Sequence, residues 1–491
     1  MATIIGTSGN DNLPRLTDPS TVGNDSIYGL AGNDTINGGV GVDTMVGGIG
    51  NDFYYADSTS DVVIEGVGAG TDRIYANTNY TLGTNVENLY LQGSAYYGYG
   101  NALNNLIVGN AQNNYLWGAA GIDTMAGGLG SDRYDVNDTT DVVIEGVGAG
   151  TDIVYAYASY TLGANVENLQ LLGSAYYGYG NALNNYIVGN ANNNYLWGAI
   201  GVDTMAGGLG SDRYDVNDVS DVVIEGVGAG TDIVYSYNAN YTLSANVENL
   251  QLQGNAYFGY GNALNNSIVG NANNNVINGG AGNDTMAGGL GKDAYIVDSV
   301  SDVVTEGVDA GIEDVYSSAA NYTLSANVEN LFLSDSAYSG NGNALNNSIV
   351  GNDGNNAISG DAGNDTIKGS VGSDTLTGGT GFDYFYFYSS TEGIDIITDF
   401  KQQELEQDKI VLSYAGFGSS IFTSWEMPGF LDSSQFNIGA AASNSSHRII
   451  YNSSTGALFF DQDGTGANAQ VQIAGLSTGL TLTSNDFQII V

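Results

Sequence analysis

The residues of this chain whose type and spacing can do chemistry are acids set at a fixed interval. Asn105, Asn114, Asp123, Asp132, Asp141 and Asp152 follow one another at steps of 9, 9, 9, 9 and 11 residues. They occupy the sixth position of a nine-residue unit, GGxGxDxUx, in which U is a large apolar residue. Gly127, Gly128 and Gly130 permit a turn of positive φ, Asp132 closes it, and Tyr134 opens a short strand with an inward side chain. If two units make one turn of a parallel solenoid, acids two units apart lie about 4.8 Å from each other in neighbouring rungs. Asp123 then stacks on Asp141, and Asp132 on Asp152.

Bare carboxylates stacked in this way repel by about 3.5 kcal/mol per pair at an effective dielectric near 20. Over many pairs that exceeds the roughly 5 to 15 kcal/mol that holds a domain together. A hard divalent cation held by oxygen reverses the sign, and flexible loops offering carboxylates and carbonyls suit Ca2+ better than the stricter octahedral Mg2+. Multiple Ca2+ ions are therefore expected to be part of the fold. The expected ligands are Asp25, Asp34, Asp43, Asp52, Asp61, Asp72, Asp123, Asp132, Asp141, Asp152, Asp203, Asp212, Asp221, Asp232, Asp284, Asp293, Asp302, Asp365, Asp374 and Asp383. One ion for each stacked pair neutralises half of the net charge of −44. In the fourth copy Glu313 stands where the earlier copies place Asp72, Asp152 and Asp232.

The elements that must position these acids follow from a longer period. GNALNN begins at Gly100, Gly180, Gly261 and Gly342, spacings of 80, 81 and 81 residues. Each copy holds four nonamers and a connector poorer in glycine, such as Val136 to Tyr179, whose alternating stretches predict further solenoid strands. The first two nonamers of each copy after the first carry asparagine at the acid position: Asn105 and Asn114, Asn185 and Asn194, Asn266 and Asn275, Asn347 and Asn356. A neutral amide can hydrogen-bond along such a ladder without a cation, so acidic and asparagine zones should alternate. The expected fold is all-β, a parallel β-solenoid (calcium β-roll) with a small C-terminal β domain. Residues 1–19 supply an N-terminal strand, a first nonamer and an inserted loop at Arg15 to Pro19. The solenoid spans 20–386 in superrepeats 20–99, 100–179, 180–260, 261–341 and 342–386, and the terminal β domain spans 387–491.

Composition narrows the function. The chain of 491 residues has 53 acidic and 9 basic residues, 73 glycines, 3 prolines and no cysteine. With 42% hydrophobic residues it can still bury a core, so a turn-dense β repeat fits better than disorder. The acidity disfavours nucleic acid and anionic membrane as partners. No apolar run is long enough to span a bilayer, and the start lacks a Sec-type signal, so no membrane insertion is expected. Without cysteine there are no disulfides, thiolate zinc sites or thiol catalysis.

Runs such as Gly282-Asn283-Asp284-Thr285-Met286 followed by Gly288-Gly289 resemble the repeats-in-toxin (RTX) secreted calcium-binding proteins, and among them bacterial surface-layer or surface-fibril members. The resemblance covers residues 3 to 386. It implies Ca2+ held between turns by loop carbonyls and by Asp43, Asp52, Asp123, Asp132, Asp203, Asp212, Asp284, Asp293, Asp365 and Asp374. Phe400, Asp408, Ile410, Tyr451, Thr455 to Leu458, Asp461, Asp463 and the closing DFQIIV resemble the C-terminal region of RTX proteins exported by type I secretion machinery with an uncleaved signal. Calcium-poor cytosol would leave the acids repelling and the chain unfolded for threading, with folding outside the cell.

The leading expectation is a non-enzymatic, extracellular calcium-binding structural protein of the cell surface, self-associating into a surface layer, sheath or fibril. The alternative is a calcium-dependent adhesin or glycan-binding module that meets cell-surface polysaccharide with outward aromatics, Tyr115 and Trp117 and their equivalents Tyr195 and Trp197. Packing of these rings under connector strands is weighed equally. The AYYGYG clusters at Ala95 and Ala175 are expected to fill the solenoid interior or stack as ladders. The single histidine, His447, lies beside Ser445 and Ser446 and is expected on a strand surface, since relay groups normally converge from distant positions.

Overall fold

The computed structural model describes residues 2–14, 22–403, 406–418 and 429–490, with residues 403 and 406 described by backbone alone. The loop expected at Arg15 to Pro19 lies outside the described residues. The chain forms two compact units, one of residues 1–237 and 244–246, the other of 238–243 and 247–491.

Each unit is a parallel β-solenoid, and its strands are short because glycine interrupts them. Thr124–Ala126 ends at Gly127-Gly128. Gly128 has φ of 100° and Gly130 of 120°, a region an L side chain seldom enters. The chain turns there and continues as Arg133–Val136 in the other sheet. In the first unit odd-numbered strands form a sheet from Thr3–Ile5 to Val62–Ile64 and another from Tyr80–Thr81 to Val222–Ile224, while the intervening strands form a sheet from Asn12–Leu13 to Val142–Ile144 and one that begins at Tyr160–Thr161.

Strands two units apart pair in parallel. Thr124, Met125 and Ala126 sit opposite Val142, Val143 and Ile144, a turn of 18 residues. The middle residue points inward, so Ile107, Met125 and Val143 form one buried column and Leu116, Tyr134 and Val154 another. Each such side chain contributes roughly 1.5 to 3 kcal/mol when removed from water. The core is thus a stack of apolar residues, one from most three-residue strands and two from four-residue strands such as Arg133–Val136, where Tyr134 and Val136 are both buried.

The connectors are solenoid strands, as expected: Val142–Ile144 ends one sheet, Ile153–Ala156 and Asn168–Leu171 continue the other, and Tyr160–Thr161 and Tyr177–Tyr179 begin a new one. Their tyrosine clusters do not fill the interior. In Tyr97–Tyr99 the inward position belongs to Gly98, against the side chains of Leu91, Ile107 and Leu116. Tyr97 and Tyr99 face outward and meet Tyr115 edge to face, with ring centroids 5.8 and 5.4 Å away. Period-two alternation puts the small residue inside, and the neighbouring leucines fill the space.

In the second unit both sheets run on past the last glycine-rich unit. Tyr384–Phe387 pairs with Lys409–Ser413, which pairs with Phe487–Ile490, all parallel. Asp395–Ile397 pairs in parallel with Val471–Gly475, after which Ala457–Phe460 and Ile449–Asn452 add antiparallel.

Candidate metal centre

Solenoid pairing brings the periodic acids into columns held by their own backbone. One carboxylate oxygen of each accepts the N–H of the residue at the same position one turn earlier. Asp43 Oδ1 takes Asp25 N–H at 2.7 Å, and Asp52 Oδ1 takes Asp34 N–H at 2.7 Å. The same bond joins Asp72 to Asp52 at 2.8 Å and Asp152 to Asp132 at 2.8 Å. It recurs from Asp212 to Asp232 and from Asp365 to Asp383, with the later residue accepting at 2.8 and 3.0 Å. Where an asparagine precedes, the acid above it accepts from it: Asp123 from Asn105, Asp132 from Asn114, Asp203 from Asn185, Asp212 from Asn194, Asp284 from Asn266, Asp293 from Asn275, Asp365 from Asn347 and Asp374 from Asn356, at 2.6 to 2.7 Å.

The second oxygen is the informative one. Oδ2 of Asp43, Asp52, Asp72, Asp123, Asp132, Asp152, Asp203, Asp212, Asp284, Asp293, Asp365 and Asp374 is buried with no hydrogen-bond partner among the described residues. A buried, unsatisfied carboxylate oxygen costs several kcal/mol unless a cation meets it. Acid triads gather around some of these atoms: Asp52, Glu65 and Asp72; Asp132, Glu145 and Asp152; Asp212, Glu225 and Asp232. In each, the oxygens lie within 4.8 Å of one another and all three residues are buried. Glycine leaves the room, since a Cβ on Gly127 would run into Asp132 Oδ2 and the Tyr134 hydroxyl. All-oxygen donors, clustered negative charge and a cradle closed by glycine fit a hard divalent cation such as Ca2+.

Four of the expected ligands are placed differently. Asp61, Asp141, Asp221 and Asp302 lie in the same columns, their Oδ1 accepting from Asp43, Asp123, Asp203 and Asp284 at 2.9 to 3.0 Å. Their Oδ2, however, accepts two N–H groups from three and four residues earlier in their own loop, for Asp61 those of Ser58 and Asp57, both at 3.1 Å. Asp25, Asp34, Asp232 and Asp383 are buried members of the columns.

The asparagine zones solve the same problem without a cation. Asn105 Nδ2 donates to the carbonyls of Val86 and Glu87 at 3.2 and 3.1 Å, and Asn114 Nδ2 to Ala95 O at 3.1 Å. Asn185, Asn194, Asn266, Asn275, Asn347 and Asn356 repeat this bond to the turn before. The amide NH2 donates to carbonyls of the preceding turn, a contact that an aspartate cannot make.

The electrostatics follow from burial. It raises Asp123, Asp132, Asp203, Asp212, Asp284, Asp293 and Asp374 to about 6, against the backbone N–H that favours the charged form. Asp72 and Asp365 reach about 7, with the same burial and nearby acids responsible. Glu145 and Glu225 are lifted to about 7 by burial, while their bonds from Tyr134 and Tyr214 oppose the rise.

Sequence periodicity missed several residues of the site. Glu65, Glu145 and Glu225 come from the connector, out of step with the nine-residue register, and each accepts a tyrosine hydroxyl from Tyr54, Tyr134 or Tyr214. Tyr295 and Glu306 make the same pair. Glu87 and Glu167 extend two columns by accepting the N–H of Asp72 and Asp152, each at 2.8 Å. Asp395 and Asp408 carry the columns beyond the glycine motif, accepting from Asp374 and Asp383 at 3.1 Å. Glu313 is buried in its column, and its N–H bonds to Glu329 at 3.1 Å.

His447 is not on a strand surface. It is buried, its Nδ1 accepting the Ser443 N–H at 3.2 Å and its Nε2 lying 2.8 Å from Asn444 Nδ2. The turn folds back on the ring, and both nitrogens are engaged by Ser443 and Asn444, not by Ser445 or Ser446.

Comparison with known proteins agrees with this geometry. The RTX calcium-binding nonapeptide repeat (four copies) matches residues 20–54, 99–134, 179–214, 260–294, 341–376 and 350–385. Such repeats imply multiple Ca2+ ions, in keeping with acids positioned for metal. A stretch of 64 residues is 41% identical to an endo-1,3-1,4-beta-glycanase of Rhizobium meliloti (strain 1021), covering 13% of this chain and 14% of that protein. Among the described residues no helix is long and apolar enough to cross a membrane.

Proposed function

Because the chain is an RTX-repeat protein, we propose that it is a secreted structural protein folded and stiffened by Ca2+, which forms a surface layer, sheath or fibril on a bacterial cell. The observation that carries the calcium part is the row of buried Oδ2 atoms without partners. Asp52, Glu65 and Asp72, with the equivalent triads at Asp132 and Asp212, would hold the cation. So would the stacked acids Asp43, Asp123, Asp203, Asp284, Asp293, Asp365 and Asp374. A bound cation supplies positive charge between turns and turns mutual repulsion into attraction.

RTX proteins are generally secreted, and the family suggests a type I secretion context. The charge of the chain supports that route. In a calcium-poor compartment the columns repel and the chain stays open for export; in millimolar calcium outside the cell they close. The structural reading gives the chain no catalytic part. It rests on periodicity, which accounts for most of the buried acids as members of the columns, and on the histidine being tied to its own turn.

Two measurements separate the parts of the proposal. Circular dichroism during calcium titration should show β structure appearing with the ion, and retention of full β signal after chelation would remove the calcium part. Electron microscopy in calcium should show filaments or sheets. Dispersed monomers alone would remove the assembly part, and hydrolysis of a glycan or ester substrate by the folded protein would remove the non-enzymatic one.

A further inference from the structure

The superrepeat has an odd number of strands, and this has a consequence for the aromatic residues. From Leu106–Val108 to Tyr177–Tyr179 the copy contributes nine strands. Since successive strands alternate between the two sides of the solenoid, each copy starts on the side opposite to its predecessor. Tyr115–Trp117 lies in the sheet that ends at Val222–Ile224, whereas its equivalent Tyr195–Trp197 lies in the sheet that begins at Tyr160–Thr161. Trp117 and Trp197 therefore face outward on opposite sides of the first unit. Nine half-turns separate them along the axis, about 22 Å at the 4.8 Å strand spacing.

Each tryptophan stands at an open cleft. One, of about 450 Å3, is lined by Tyr115, Trp117, Asp135, Asn137 and Tyr157; the other, of about 470 Å3, by Tyr195, Trp197, Asp215, Asn217 and Tyr237. Trp117 and Trp197 are 39% and 38% exposed, and the outer tyrosines Tyr157 and Tyr237 are similarly open. The floor is rigid. Asp135 is buried, accepts the Tyr115 hydroxyl at 2.7 Å and pairs with Arg133 at 2.9 Å. The Arg133 guanidinium is sandwiched 4.3 and 4.2 Å from the Tyr115 and Tyr155 rings. Tyr195, Arg213, Asp215 and Tyr235 repeat the arrangement at 2.7, 2.9, 4.4 and 4.0 Å. The next copy loses the set together, with Val276, Asn278, Ala294 and Ile296 at the corresponding positions.

We infer that the two clefts are sugar-binding sites for a neutral β-linked polysaccharide, and that one molecule bridges two polysaccharide chains held on opposite faces. A pyranose ring offers an apolar C–H face to the tryptophan and hydroxyls at its edge to Asn137 or Asn217 and to the tyrosine hydroxyls. Equatorial β linkages keep successive rings flat and able to cross an open cleft. The net charge of −44 repels acidic polysaccharides, and the sole cation at each cleft is neutralised by its aspartate partner, which selects a neutral chain. This inference does not depend on filament formation.

The test uses full-length protein in calcium. Titration calorimetry with cellohexaose should give two sites; Trp117→Ala and Trp197→Ala should each leave one, and the double variant none. With a long mixed-linkage β-glucan the parent protein should raise light scattering by cross-linking, while each single variant binds without cross-linking. Tyr157→Ala and Tyr237→Ala should weaken their own clefts at least tenfold and serve if a tryptophan variant loses its calcium-dependent β signal. Absence of binding, or binding unchanged by these substitutions, would overturn the inference. Two sites with cross-linking retained in single variants would overturn the bridging geometry.

Discussion

Replacing Asp132 by Asn should stabilise the chain without calcium and weaken it with calcium. Asp132 Oδ1 accepts the Asn114 N–H at 2.6 Å, a bond an amide oxygen keeps. Its Oδ2 has no partner and faces Glu145 and Asp152 within 4.8 Å. At that distance and an effective dielectric of 20, each pair of charges repels by about 3.5 kcal/mol. An independent figure comes from the carboxyl itself, which burial raises from 3.8 to about 6. At about 1.4 kcal/mol per tenfold, ionising it in the folded state costs about 3 kcal/mol. Asp132→Asn should thus gain about 3 kcal/mol in chelator at about pH 8. In millimolar calcium the sign reverses, because one charged ligand of the triad is gone. Hydrogen exchange of the strand Arg133–Val136 reads the local effect, which matters because long solenoids open piecewise. Calorimetry reads the loss of one calcium. A variant less stable than the parent in chelator, or one with unchanged calcium stoichiometry, would refute the reasoning.

Three further outcomes follow from the same geometry. Asn114→Asp places an oxygen against Ala95 O in place of a donor at 3.1 Å. It should cost about 1 to 3 kcal/mol in chelator and create a new calcium dependence, read by denaturation with and without the ion. Gly127→Ala drives a Cβ into Asp132 Oδ2 and Tyr134; the calcium count should fall by one while the asparagine zones keep their exchange protection. The third concerns pH. Asp123, Asp132, Asp203 and Asp212 sit near 6 and Asp72 and Asp365 near 7, all above their unfolded values. Such groups favour folding below about pH 4 and lose that contribution as pH rises through about 6 to 7. The calcium-free protein should therefore melt higher at about pH 5 than at about pH 8, with calcium inverting the order in thermal circular dichroism; equal or opposite melting without calcium would exclude the assignment.

The sequence alone determined what repeats locally. A nine-residue period sets one turn, one strand and one inward residue, so the columns 43 over 61, 123 over 141 and 132 over 152 were readable from spacing. So was the division into acid and asparagine zones, since the choice of Asp or Asn is written at each sixth position. Only the tertiary structure decided what depends on loop length and on strand count. Glu65, Glu145 and Glu225 lie out of register and reach the acids because the connector folds as further turns. Asp61 and its equivalents differ from Asp52 by the path of their own loop, which supplies two N–H groups to the Oδ2 of one and none to that of the other. Trp117 and Trp197 occupy the same place in their copies yet opposite sheets, because nine strands are odd. Periodicity fixes which neighbours lie one turn away; it carries no information on which face a turn count delivers, or on which side chains a longer loop brings home.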